Sequence, residues 1–208
     1  MKIVIDGMDG VGKSTVANIL ADKYGYEYID RSLQRMFGFE DVNDEESKKF
    51  EEKLNRIFNN ENPIIKAWLT GLGNIYSLTN TETKNIIIDR NILSNYFWNG
   101  NNENEEIYES IMKASGMPDI TIVLYASVKT RIERIRLRDK IDADLEDPDV
   151  YKEGYEKMAA FLKKHKIPYI AINTENKNID EVVREIENKV KFINNKENEK
   201  DGIVESSR

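Results

Sequence analysis

The sequence contains no cysteine and a single histidine in 208 residues. Without thiols there is no disulfide framework and no thiolate metal site, a composition that suits a reducing compartment. With one histidine there is no His/Cys metal cluster, and no nucleophile–base pair stands out. Basic charge is in deficit as well. Lys and Arg number 31 against 38 Asp and Glu, a net of −7, so the basic stripe of a nucleic-acid groove is not expected. No stretch approaches the length of a membrane span, and the N-terminal apolar run is too short for a signal-peptide core. These absences lead to an expectation of a cytoplasmic protein whose partner is a small molecule, with neither polymeric nucleic acid nor membrane. The length suits one domain, and a hydrophobic content of 39% is enough to build its core.

What the chain does have is a phosphate-binding loop. Gly7-Met8-Asp9-Gly10-Val11-Gly12-Lys13-Ser14-Thr15 matches G-x-x-x-x-G-K-[ST] at every fixed position. Glycines let successive N–H groups converge on phosphate oxygens. Lys13 brings a point charge to the terminal phosphates, and the Ser14 hydroxyl is placed to ligate Mg²⁺. Lys2 to Asp6 reads as a buried strand before the loop. Val16, Ile19, Leu20 and Lys23 fall at helical spacing after it, so the helix aims its positive end at the same anion. The pattern predicts a nucleoside triphosphate site.

Four more strands are expected, at 26–29, 85–89, 119–125 and 168–172. Between them stand helical patterns, including 44–59 and a helix from Pro63 with an apolar face of Ile64, Ile65, Trp68, Leu69, Leu72 and Ile75. Alternation of this kind predicts an α/β fold, a five-stranded parallel sheet with helices on both faces. Residues 1–193 form the domain, and 194–208 read as a polar tail with little to bury. The ligand crevice belongs at the C-terminal strand ends, where Asp6, Asp30 and Asp89 sit.

Asp89-Arg90 is the second constellation. A carboxylate at a strand end beside the loop can hold a Mg²⁺-bound water while the guanidinium binds phosphate, or the Asp can simply cap a helix. Arg131, Arg134 and Arg138 share one helical face, with Arg136 to the side, and predict a basic lid at about 131–148 that closes over the triphosphate. Asp9 is a carboxylate inside a phosphate site and needs a cation or a hydroxyl as partner. Asp30 is read either as a group that orients or deprotonates an acceptor hydroxyl or as a partner of Arg31. His165 reads as a solvated cap at a helix end, Trp68 as core, and Phe97 and Trp98 as core or as base-stacking groups.

Ile5-Asp6-Gly7-x-Asp9-Gly10-x-Gly12-Lys13-Ser14-Thr15, Ile88-Asp89-Arg90 with Ser94, Pro118 to Thr121, and Arg134-x-Arg136-x-Arg138 together resemble the thymidylate kinases. Asp144-Leu145-Glu146 and Glu153-Gly154-Tyr155 fall where that family has its lid motif and the following helix. The resemblance implies ATP as donor, Mg²⁺, a nucleoside monophosphate as acceptor, and a homodimer. It implies that Asp9 touches the sugar 3′-hydroxyl, Arg90 binds the acceptor phosphate, and the lid arginines grip ATP. Three departures stand out. Ile29-Asp30-Arg31-Ser32 replaces the family's Arg-Glu-Pro, Leu69 to Ile75 carries no arginine ahead of the third strand, and Leu145 stands where the lid has an arginine. Arg31 and Arg35 are the candidates to replace the missing acceptor cation. Two alternatives stay open, a deoxynucleoside kinase with Asp30 as general base and a nucleotide-binding switch without catalysis.

Overall fold

The computed structural model describes residues 1–59, 62–80, 83, 85–138 and 154–190. The second half of the expected lid, 139–148, its acidic motif and the 194–208 tail lie outside these residues. In chain order the elements are β1 (Lys2–Gly7), α1 (Lys13–Tyr24), β2 (Glu27–Ile29), α2 (Ser32–Met36), α3 (Glu45–Phe58), α4 (Pro63–Thr79), β3 (Ile86–Asp89), α5 (Ile92–Asn99), α6 (Glu105–Ser115), β4 (Ile120–Tyr125), α7 (Val128–Arg138), α8 (Gly154–Lys164) and β5 (Tyr169–Asn173). A last helix, α9, occupies 179–190.

The five strands form one parallel sheet in the order β2-β3-β1-β4-β5. β1 lies in the middle because its Ile3-Val4-Ile5 run is buried on both faces, as a central parallel strand must be. Strand alternation then divides the core. Ile3, Ile5, Ile122, Leu124 and Ile172 meet Val16 and Leu20 of α1 and Val182, Val183 and Ile186 of α9 on one face. Val123 points the other way, into Leu93, Tyr96, Tyr108, Ile111, Met158 and Phe161 of α5, α6 and α8. Each fully buried aliphatic side chain contributes about 1.5–3 kcal/mol relative to an exposed one. The order switches at β1, between β3 and β4, so the crevice outside the strand ends opens beside the phosphate loop.

α4 is the main correction to the sequence expectation. Of its expected apolar face, Ile75 packs against the core, but four large residues do not. Ile64, Ile65, Trp68 and Leu72 are each between 43 and 51% exposed, and the buried face is Ala67, Gly71, Gly73, Asn74, Ser77 and Leu78. The reason is proximity. A Cβ on Gly73 would come within 2.8 Å of the Leu33 backbone nitrogen of α2, so only small side chains fit where α4 is pressed against its neighbours. α2 itself is a short helix that no periodicity announced. His165 also departs from expectation. It is not solvated but packs on Phe161, with ring centroids 4.4 Å apart, and bonds Glu105 at 2.9 Å.

Candidate active site

The phosphate loop runs from the end of β1 into α1 and is held from behind by α7. A Cβ on Gly10 would meet the Arg131 carbonyl oxygen at 2.6 Å, and Gly10 has φ +80°, so glycine is required there on both counts. Arg131, buried, donates from Nε to the Asp9 carbonyl at 2.8 Å. Arg134 donates from Nη1 to the Gly10 carbonyl (3.4 Å) and to Thr174 Oγ1 (2.9 Å), and from Nη2 to the Thr174 carbonyl (2.8 Å). Arg131 and Arg134, from the face that they share with Arg138, are therefore turned to the loop. In the described residues they act as a brace between the loop and the turn after β5.

Within the loop, buried Lys13 donates from Nζ to the Met8 carbonyl at 2.8 Å and pairs with Asp9 Oδ1 at 3.3 Å. The same Oδ1 accepts from Arg90. Burial opposes ionisation of Asp9, but Lys13 and Arg90 outweigh it and hold the carboxyl well below the usual range. Burial, reinforced by Arg90, pulls the Lys13 ammonium down to about 8. Asp9 thus has two cations as partners and does not face solvent. A cleft of about 330 Å³ opens in front of this cluster. Asp9 to Val16 line it, Ser14 and Thr15 among them, with Arg90, Arg134, Arg138, Thr174, Lys177, Ile179 and Val182.

On the other side of Arg90 lies a second cleft of about 440 Å³, between α2, α4 and α5. Asp6, wholly buried at the end of β1, ties the two together. Its carboxylate accepts from the N–H groups of Gly7 (2.8 Å), Asn91 (3.1 Å) and Ser94 (3.2 Å) and from Ser94 Oγ (2.5 Å). This anchors the start of α5 to the first glycine of the loop. Arg90, which follows the aspartate ending β3, and Arg31, two residues past the end of β2, both adopt left-handed backbone, with φ of 71° and 44°. Non-glycine residues in that region are uncommon, and such strain collects at functional sites. Both arginines line the second cleft, with Gln34, Phe58, Lys66, Thr70, Asn99 and the half-exposed Trp98. Phe97, in contrast, is core.

Arg35 is not brought to this cleft. One turn further along α2, its guanidinium lies back over β2, donating to the Tyr28 carbonyl at 3.1 Å and pairing with Glu27. Asp30 is half-buried and lines neither cleft. Burial and the nearby Asp89 push its carboxyl up. Where the resemblance led one to expect an arginine on α4, the wall is built of amides. Asn95 donates to the Ala67 carbonyl and to Asn74 Oδ1, both at 3.0 Å, and accepts from Asn99 Nδ2 at 3.1 Å. Sequence reading missed this amide wall, Lys66, and Thr174 and Lys177 of the first cleft. Only the position of Thr174 just past a strand end could have flagged any of them.

Among the described residues, two buried side-chain polar atoms have no hydrogen-bond partner, and both belong to residues lining the second cleft: Arg31 Nε and Asp89 Oδ1. Asp89 Oδ2 accepts from the Tyr28 hydroxyl at 3.1 Å, which leaves Oδ1 as an acceptor awaiting a donor or a cation. An orphaned carboxylate oxygen at the second cleft and the exposed Ser14 hydroxyl at the first are each oxygen donors of the type Mg²⁺ takes. No group of three or more His, Asp or Glu among the described residues could hold a metal. Mg²⁺ bound by one or two protein oxygens, water and substrate phosphates does not need such a group.

A family model described as thymidylate kinase matches residues 5–186. A probable thymidylate kinase of Methanococcus maripaludis is 27% identical over 198 residues, covering 90% of this chain and 94% of that protein. Among solved structures, deoxyadenosine kinase from M. mycoides superposes with a TM-score of 0.64 at 22% identity, covering 92% of this chain and 99% of that one. Thymidylate kinase from Candida albicans gives 0.65 at 20% identity, covering 93% and 92%. At such identities the two structures show a shared fold.

Proposed function

This chain belongs to the thymidylate kinase family, and on that premise we propose that it transfers the γ-phosphoryl group of ATP to dTMP, with Mg²⁺, giving dTDP and ADP. The observation that carries the reading is that Arg90 lines both clefts, at the place where a donor and an acceptor phosphate would meet. In this assignment the loop amides and Lys13 hold the β- and γ-phosphates. Arg134 and Arg138 close the donor side, and Arg90 draws the two phosphates together. Ser14 and Asp89 are the residues that would hold Mg²⁺, which would supply charge neutralisation to the phosphates. The bond from the γ-phosphorus to the bridging oxygen of ADP breaks as one forms to an oxygen of dTMP. That oxygen is already anionic, so no general base is required. Catalysis is then positioning and electrostatics, which a loop lysine and converging arginines provide.

Arg31 takes the place of the absent α4 arginine, with its unpaired Nε as the free donor. One observation favours a second reading. Asp30, just past β2 with its carboxyl pushed up, is the group a nucleoside kinase would use as base for a 5′-hydroxyl, although it lines neither cleft. Incubation with Mg-ATP and a panel of dTMP, thymidine and other nucleosides and nucleotides, with ADP as readout, separates the two. Turnover of dTMP supports the proposal. Turnover of nucleosides alone, lost on Asp30→Asn, transfers the assignment to the alternative. The proposal includes a homodimer formed through the exposed stripe of α4, since a two-fold contact would cover Ile64, Trp68 and Leu72 of each copy at once. It also includes residence in the cytoplasm. No described helix is long and apolar enough to cross a membrane.

A further inference from the structure

Among the described residues Arg31 makes one ion pair, from Nη2 to Glu51 Oε2 of α3 at 2.5 Å. Nε and Nη2 are the two nitrogens whose N–H bonds run parallel on the same edge of a guanidinium, the edge that takes an oxyanion in bidentate fashion. Here half of that edge holds a carboxylate oxygen. The other half, Nε, is buried without a partner. Glu51 therefore satisfies the charge of Arg31 without completing its geometry. It is also the cheaper side of the pair to displace, since its side chain is 44% exposed against 20% for Arg31.

We infer that Glu51 is a stand-in for the acceptor's phosphate group. It neutralises Arg31 while the cleft is empty and gives up Nη2 when a phosphate monoester takes the Nε–Nη2 edge. The inference rests on the proposed acceptor reading. A doubly charged phosphate spanning both nitrogens outcompetes a singly charged, half-exposed carboxylate bound to one. A neutral nucleoside has no group that could do so. Glu51 is accordingly a positioning residue that acts through Arg31, keeping it aimed at the cleft at a cost in acceptor affinity. Phe58, on the same helix, lies in the wall of the same cleft.

The test uses the full chain and steady-state kinetics with dTMP varied at saturating Mg-ATP. Glu51→Gln should lower the KM for dTMP about three- to fivefold, the scale of a partly exposed ion pair. The kcat and the KM for ATP should stay within about twofold. Titration calorimetry of dTMP without ATP should show the same tightening, independent of turnover. In an Arg31→Ala background the Glu51→Gln change should have no effect, as a double-mutant cycle requires of a coupled pair. Glu52→Gln, its exposed neighbour on α3, should leave the KM for dTMP unchanged. If Glu51→Gln raises or does not move that KM, or Glu52→Gln lowers it equally, Glu51 is not a stand-in. If Arg31→Ala itself leaves the KM for dTMP unmoved, the acceptor reading fails first and the inference falls with it.

Discussion

Lys13 offers a perturbation that needs no mutation, a change of pH. Burial, with Arg90 adding to it and Asp9, Asp89 and Asp6 opposing, brings its ammonium from an ordinary 10.5 to about 8. That drop is worth about 3 kcal/mol of differential interaction between the charged and neutral forms. Two consequences of opposite sign follow. Phosphate binding requires the charged form, so kcat/KM for ATP, which reports the free enzyme, should bend near pH 8. Above the bend it should fall about tenfold for each further pH unit. Stability should move the other way. Between about 8 and 10.5 the unfolded chain binds a proton at Lys13 that the folded chain does not, so this lysine's contribution to ΔG of unfolding rises with pH across that window. Below about 8 the contribution is flat, both states being protonated. Asp9→Asn removes an opposing carboxylate and should shift the bend to lower pH, while Arg90→Ala should shift it upward. Initial rates at subsaturating ATP from pH 6.5 to 10, with urea titrations at the same pH values, make the check. A profile flat to pH 9.5, or a bend that Asp9→Asn does not move, refutes the account of Lys13 as a buried ammonium held by Asp9.

Arg31→Ala should raise the KM for dTMP at least about tenfold, about 1.4 kcal/mol, and leave the KM for ATP unchanged. Arg35→Ala should leave both constants alone and cost at most about 1 kcal/mol of stability in a thermal melt, because its guanidinium is spent on Glu27 and Tyr28. Arg134→Ala cuts a brace of three hydrogen bonds between Gly10 and Thr174, so stopped-flow and steady-state assays should show kcat falling by about 10² or more. The KM for dTMP should hardly move. Trp68→Glu places a charge in the exposed stripe of α4, and light scattering on a size-exclusion column should then report a monomer where the parent chain reports a dimer.

The amino-acid sequence by itself determined the loop, the strand that enters it and the helix that leaves it. Glycine, lysine and hydroxyl at fixed offsets have one common physical use, and the flanking periodicities left no other arrangement. It also determined the parallel sheet, through buried aliphatic runs separated by helical lengths, and the shared face of Arg131, Arg134 and Arg138, which follows from 3.6 residues per turn. Only the tertiary structure decided what those elements face. The apolar stripe of α4 reads as core in isolation, yet the α2 backbone comes so close at Gly73 that a Cβ would clash, small residues such as Ala67 and Asn74 are the buried ones, and Trp68 is left outside. Arg31 and Arg35 are equivalent candidates on paper. The turn of α2 sends one into the cleft and the other over β2. Asp6 and Ser94, or Arg134 and Thr174, become partners across 88 and 40 residues of chain. Local periodicity can give the direction of a side chain relative to its own helix or strand. Its neighbours across the fold are set by how the layers pack.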